Sequence, residues 1–164
     1  MKKVLLVFVL ITIISTGTVF ADHPSGLGIG VMGSLGGGWE GGSLLGGLII
    51  SLKLPSMPVY WGVDLAFGKN YFRLGVIGDY YLIDRVLIND INLNWFVGVG
   101  GWVNCVIDPF SFGFGARLPI GLSWQPIKIL EVFINIAPSI GISLNPFYFP
   151  AGGIAGEIGV RLWL

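Results

Sequence analysis

The chain has 164 residues, 54% of them hydrophobic and only 11% charged, with 9 basic and 9 acidic side chains. Water-soluble domains carry about a quarter charged residues, so this composition points away from water. The balanced charge offers no basic face for nucleic acid, and the single cysteine, Cys105, excludes an intramolecular disulfide and a cysteine-rich metal site.

The N-terminus has the layout of an export signal: Lys2 and Lys3, an apolar stretch from Val4 to Ile14, and the small-residue site Val19-Phe20-Ala21. Cleavage there predicts a signal peptide over 1–21 and one mature domain over 22–164. Beyond it, no segment reaches the ~20 unbroken apolar residues of a spanning helix. The remaining way to satisfy a backbone in lipid is a closed β-barrel.

Eight alternating segments predict its strands. Leu27, Ile29, Val31 and Leu35 share the apolar face of the first, and Leu44, Leu48, Ile50 and Leu52 that of the second. In the third, Val59, Trp61, Val63, Leu65 and Phe67 oppose Tyr60, Gly62, Asp64 and Ala66. In the fourth, Phe72, Leu74, Val76, Tyr80 and Leu82 oppose Arg73, Gly75, Ile77 and Asp79. The fifth sets Ile91, Leu93, Trp95, Val97 and Val99 against Asn92, Asn94, Phe96, Gly98 and Gly100. The sixth runs from Phe110 to Gln125, its even positions apolar. The seventh sends Val132, Ile134, Ile136, Ile140, Ile142 and Leu144 one way, and the eighth covers Ala155 to Leu164. Pro119 and Pro138 fall inside strands and predict bulges.

Large apolar residues on one face with glycine and polar residues on the other is the pattern of a transmembrane barrel, apolar outside and polar within. An even strand count puts both termini on one side, the periplasm for an exported barrel. Gly36–Gly42, Gly68–Asn70, Asn104–Pro109 and Asn145–Gly152 are then outward loops. Leu54–Pro58, Asp84–Asp90 and Pro126–Leu130 are periplasmic turns. Trp61, Tyr80, Trp95 and Trp124 gather near the periplasmic end of the lipid face as an aromatic girdle, and Phe67, Phe72, Phe110 and Phe112 near the other.

The segments DINLNWFVGVGG (Asp90–Gly101), GARLPIGLSWQPIK (Gly115–Lys128) and FYFPAGGIAGEIGVRLWL (Phe147–Leu164) resemble a small family of spirochaetal outer-membrane β-barrel proteins over essentially the whole mature chain. The resemblance implies an eight-stranded antiparallel up-and-down barrel similar to the OmpA/OmpX type, in the outer membrane. It brings no catalytic or binding residues. One departure is that Trp163 is penultimate and Leu164 last, where such barrels usually end in an aromatic residue.

The inward charges are Lys53, Asp64, Arg73, Asp79, Arg117, Glu157 and Arg161. Asp64 and Arg73 flank a short turn and should lie opposite or diagonal, while Glu157 and Arg161 share one face. Two readings follow: an ion-pair network that closes a narrow lumen, or an ion-conducting pore lined by polar groups. Catalysis has little to build on. The lone His23 lies beside the cleavage site, leaving a Ser-His-Asp arrangement without a base. No phosphate loop or metal spacing is present, and no cofactor is expected. Phe147, Tyr148 and Phe149, held between Pro146 and Pro150, and Trp39 beside Glu40 are candidate loop contacts for an external or host protein. Cys105 reads as a partly buried loop thiol. Membrane lipid is the expected surrounding, and the barrel is expected to be a monomer.

Overall fold

The computed structural model describes residues 24, 26–38, 45–68, 71–107 and 110–164. The expected signal segment, His23, Leu44, Trp39 and Glu40 lie outside them. Among the described residues nine strands form: β1 (Gly28–Gly38), β2 (Leu45–Lys53), β3 (Val59–Gly68), β4 (Tyr71–Ile88), β5 (Leu93–Val106), β6 (Ser111–Arg117), β7 (Ile120–Ile127), β8 (Leu130–Leu144) and β9 (Tyr148–Trp163). All pairings are antiparallel, and β9 returns to pair with β1, so the sheet closes on itself. Because β6 and β7 both lie between β5 and β8, they are two halves of one wall. The result is the expected eight-walled up-and-down barrel.

Alternation sets the register. Outward positions such as Ile134, Ile136 and Ile158 are exposed, whereas inward Glu131, Glu157 and Arg161 are buried. An apolar belt of this extent far exceeds the patches that soluble monomers tolerate. The end carrying Gly28 and Trp163 is called lower here, and the end at Gly38 and Gly153 upper. Following the paired residues once round from Gly28, through Lys53, Tyr60, Asp79, Gly100, Arg117, Ser139 and Gly153, leads back to β1 at Gly38. That offset, from residue 28 to residue 38, is the barrel's shear. With a rise of ~3.3 Å per residue and ~4.7 Å between strands, it tilts the strands by about 40° and sets a backbone radius of about 8 Å. Such a lumen is narrow enough for side chains to fill.

The two prolines occupy one place. Pro119 interrupts the wall between β6 and β7, and its carbonyl accepts from Gly98 N at 2.8 Å. On the neighbouring β8, Pro138 lies beside that interruption, where its carbonyl accepts from Leu118 N at 2.9 Å. The proline lacking a ladder N–H thus faces a stretch that has left the ladder. The β8–β9 register runs through Pro138 without the expected bulge.

Several strands are longer than alternation predicts. β4 continues to Ile88, so the expected turn Asp84–Asp90 reduces to a 3-10 turn at Asn89–Ile91. The cause is a bulge between Tyr81 and Ile83, which reverses the parity and turns Asp84 inward. β5 runs through Asn104 and Cys105, both expected in a loop. Cys105 pairs with Leu74 and Phe112 on the outer face. β9 begins at Tyr148, which shortens the expected loop Asn145–Gly152 to the residues before it and places Tyr148 and Phe149 in a strand.

Candidate functional site

The lower lumen is packed across its full width. Tyr60, Tyr81 and Phe96, from β3, β4 and β5, stack in sequence with centroids 4.2 and 4.3 Å apart and planes within 16° and 12° of parallel. Glycines make the room. A Cβ at Gly121 would meet Phe96 Cζ at 2.6 Å, and one at Gly159 would meet Phe133 Cζ at 2.6 Å. The Arg161 guanidinium sits 4.7 Å from the Tyr60 ring centroid and 4.6 Å from that of Phe133, a cation–π arrangement. It donates from Nη1 to Glu131 Oε2 at 2.8 Å and from Nη2 to Ser51 Oγ at 3.0 Å. Glu131 also accepts from Trp163 Nε1 at 2.8 Å and Ser123 Oγ at 2.9 Å. At the lower rim Lys53 Nζ donates to the carbonyls of Leu54 and Met57, tying down the β2–β3 turn.

At mid-depth Arg117 bridges two carboxylates, Asp79 at 3.1 Å and Glu157 at 2.7 Å. An apolar cluster of Met32, Ile49, Ile77 and Phe133 also fills the lumen, with Trp102 packed against it. Above lies the Asp64–Arg73 pair at 2.8 Å, set diagonally between β3 and β4 as the spacing predicts. It borders a cavity of about 330 Å³ in the upper lumen, which extends to Gly38, Ser111 and Gly153.

Asp64, Arg73, Asp79, Arg117, Glu157 and Arg161 thus all face inward, but in three separate groups. Glu157 and Arg161 do not pair with each other: Arg117 takes the first and Glu131 the second. Glu131 escapes the sequence reading because the expected turn Pro126–Leu130 stops one residue short, although the outward Val132 implies an inward neighbour. Asp84 is hidden by the β4 bulge. Trp102 follows Gly100 and Gly101, which read as the end of a strand.

The girdle residues Trp61, Tyr80, Trp95 and Trp124 all lie on the outer face. Trp61 and Trp124 are exposed and Tyr80 and Trp95 half-buried, with Tyr80 paired to Val59 and Trp124 to Leu93 in the lower half. Nearer the upper end the Phe67 and Phe72 rings meet at 5.1 Å. At the upper rim Phe147 and Phe149 are 72% and 61% exposed, whereas Tyr148 is half-buried. Among the described residues no cluster of His, Cys, Asp and Glu has the geometry of a metal site.

A closed antiparallel ring of eight walls, polar within and apolar without, is the architecture of the small outer-membrane barrels. Solved structures of that kind resemble it: Neisserial surface protein A matches with a TM-score of 0.54 at 13% identity, covering 84% of this chain and 96% of that one. The N-terminal β-barrel domain of Pseudomonas aeruginosa OprF matches with a TM-score of 0.50 at 10% identity, covering 82% and 96%. At these identities the likeness is one of fold. No family model and no curated protein sequence matches the chain.

Proposed function

We propose that this chain is a small integral outer-membrane protein, exported by its N-terminal signal, with a structural or surface-interaction role and a lumen that does not conduct. The observation that carries this reading is the packed lower lumen, where Phe96, Glu131 and Arg161 are at most 2% exposed. A solute would have to displace the ring stack and break a buried, multiply hydrogen-bonded ion pair. The resemblance of three sequence blocks to spirochaetal barrels, and the fold shared with known outer-membrane barrels, support the same location. In it both termini lie on the periplasmic side, membrane lipid covers the apolar belt, and the barrel is a monomer.

The upper connections then face outward. Phe147 and Phe149 offer rigid aromatic contacts to an external or host protein, since a ring carries much apolar area on few rotatable bonds. Enzymatic activity and nucleic-acid binding form no part of this reading.

Planar-bilayer recording of the purified, folded protein tests it. The expected result is a silent membrane; discrete, reproducible, ion-selective channels would overturn the closed lumen in favour of a small porin-like pore. For the loop, replacing Phe147, Tyr148 and Phe149 with serine should abolish partner binding and leave the barrel folded. Unchanged binding removes that loop from the interaction.

A further inference from the structure

The upper lumen is built differently from the lower. A barrel of this radius can fill its interior with side chains, and below mid-depth this one does so. Above it, glycines replace the rings: Gly36, Gly38, Gly75, Gly113 and Gly153 all border the cavity. Backbone crowding does not demand this throughout. A Cβ at Gly38 would meet only the Gly152 carbonyl oxygen, at an ordinary 3.5 Å. The cavity of about 330 Å³ falls within the size range of small-molecule sites.

Its walls define what would fit. The Trp102 indole rests on the backbones of β6 and β8, where a Cβ at Gly113 or Gly141 would strike the ring at 3.0 or 2.7 Å. The glycines therefore support one side of a flat apolar surface that borders the cavity. Beside it Arg73 and Asp64 form the ion pair most open to water among those of the described residues, their side chains 21% and 12% exposed. Deeper down, Arg117 and Glu157 close the floor. The hydroxyls of Ser34, Ser111, Ser139 and Ser143 and the Asn104 side chain add polar groups to the lining, beside the apolar Ile49 and Ile77. Asp64 and Glu157 in this lining are matched by Arg73 and Arg117, so it presents directional donors and acceptors at net neutrality. An anion finds no spare cation, and the second carboxylate on Arg117, that of Asp79, lies outside the lining. An aromatic platform ringed by hydroxyls and neutralised charges suits a molecule with apolar C–H faces and many hydroxyl groups.

We propose that the upper lumen is a binding cup for a neutral polyhydroxylated ligand, such as the terminal sugar units of a glycan, inserted from the outward end. The Tyr60–Tyr81–Phe96 stack blocks the other entrance. This deepens the surface-interaction reading and rests on it: the cup is a recognition site because the lumen ends at the stack.

The test uses the folded protein in a detergent without a sugar head group, with maltose and N-acetylglucosamine as probes. Binding is read from the indole N–H resonance of Trp102, assigned by its loss in Trp102→Phe. Saturable movement of that resonance is expected, with the outward Trp61 and Trp124 unmoved. Gly38→Leu should weaken binding about tenfold or more while leaving gel mobility at the folded position. Should that variant fail to fold, Ser111→Leu carries the same expectation. No shift with either sugar, unchanged affinity in the filled cup, or a stronger saturable shift with sulfate or tetramethylammonium would overturn the proposal. Bilayer recording on the same preparation separates the two readings. Channels overturn the closed lumen, whereas a silent barrel that ignores sugars overturns the cup alone.

Discussion

Glu131→Ala is the sharpest perturbation of the packed lumen. The Glu131 carboxylate accepts from Arg161, Trp163 and Ser123 at 2.8 to 2.9 Å and is 1% exposed. Removing one partner of a buried ion pair costs about 3–5 kcal/mol, because the remaining charge is left without compensation. The two neutral donors add about 1 kcal/mol each when left unmatched. Arg161 keeps its contacts with the Tyr60 and Phe133 rings, which are present before and after the change and cancel in the difference. The expected net loss is therefore about 5–7 kcal/mol. Glu157→Ala is the control, since Arg117 keeps Asp79 as a second carboxylate, and about 1–2 kcal/mol is expected there. Reversible denaturant unfolding in vesicles, followed by tryptophan fluorescence and the mobility of the folded barrel on gels, measures both. Replacing the pair together, Glu131→Leu with Arg161→Met, should recover most of the loss, because apolar packing can substitute for a buried ion pair. A Glu131→Ala loss below about 1 kcal/mol, or one smaller than that of Glu157→Ala, would refute the assignment of Arg161 to Glu131.

Glycine substitutions separate the lumen from the exterior. Gly159→Ala should destabilise by about 1–3 kcal/mol, since the new Cβ meets Met32 Cβ at 2.5 Å and Phe133 Cζ at 2.6 Å. At Gly33 a new Cβ would have nothing within 4 Å, so alanine there should be neutral or stabilise by about 0.4–1 kcal/mol. The same unfolding assay ranks the two, and equal losses would contradict the assigned faces. Val76→Arg, on the outer face opposite Val63 and Val103, should cost about 2–4 kcal/mol in a bilayer. A cost below about 1 kcal/mol would place that position outside the hydrocarbon.

Wall faces are legible from the residues alone because a strand has a period of two and the two environments differ sharply. The Asp64–Arg73 contact is legible for the same reason, as both side chains flank one short hairpin. What spans the lumen is not. Tyr60, Tyr81, Phe96 and Phe133 are all inward by parity, but which rings meet depends on the stagger accumulated round the whole ring. No local window contains that quantity. Asp84 shows a second limit: one bulged residue at Leu82 reverses the faces downstream, so a buried carboxylate reads as a turn former. The Arg161–Glu131 pair shows a third limit: the two are direct partners across the β8–β9 hairpin, but Glu131 sits next to a turn and is given no face by the alternation.

The seam between β1 and β9 has a consequence for how the molecule is made. It joins Gly28 to Trp163 and Gly38 to Gly153, the most distant parts of the described chain, and glycine occupies one or both sides of most of its pairs. Bringing such remote edges together carries a loop-closure entropy that the hairpins do not, and glycine adds the backbone freedom that must be given up. Closure of this seam is therefore expected to be the slow step of assembly. Once shut it holds, among the described residues, eleven residue pairs against the six between β2 and β3, so any weakness there comes from its glycines and not from a short ladder. Amide hydrogen exchange faster along Gly30–Gly38 than along β4 and β5 would mark it; uniform protection round the ring would show that closure is no weaker there than elsewhere.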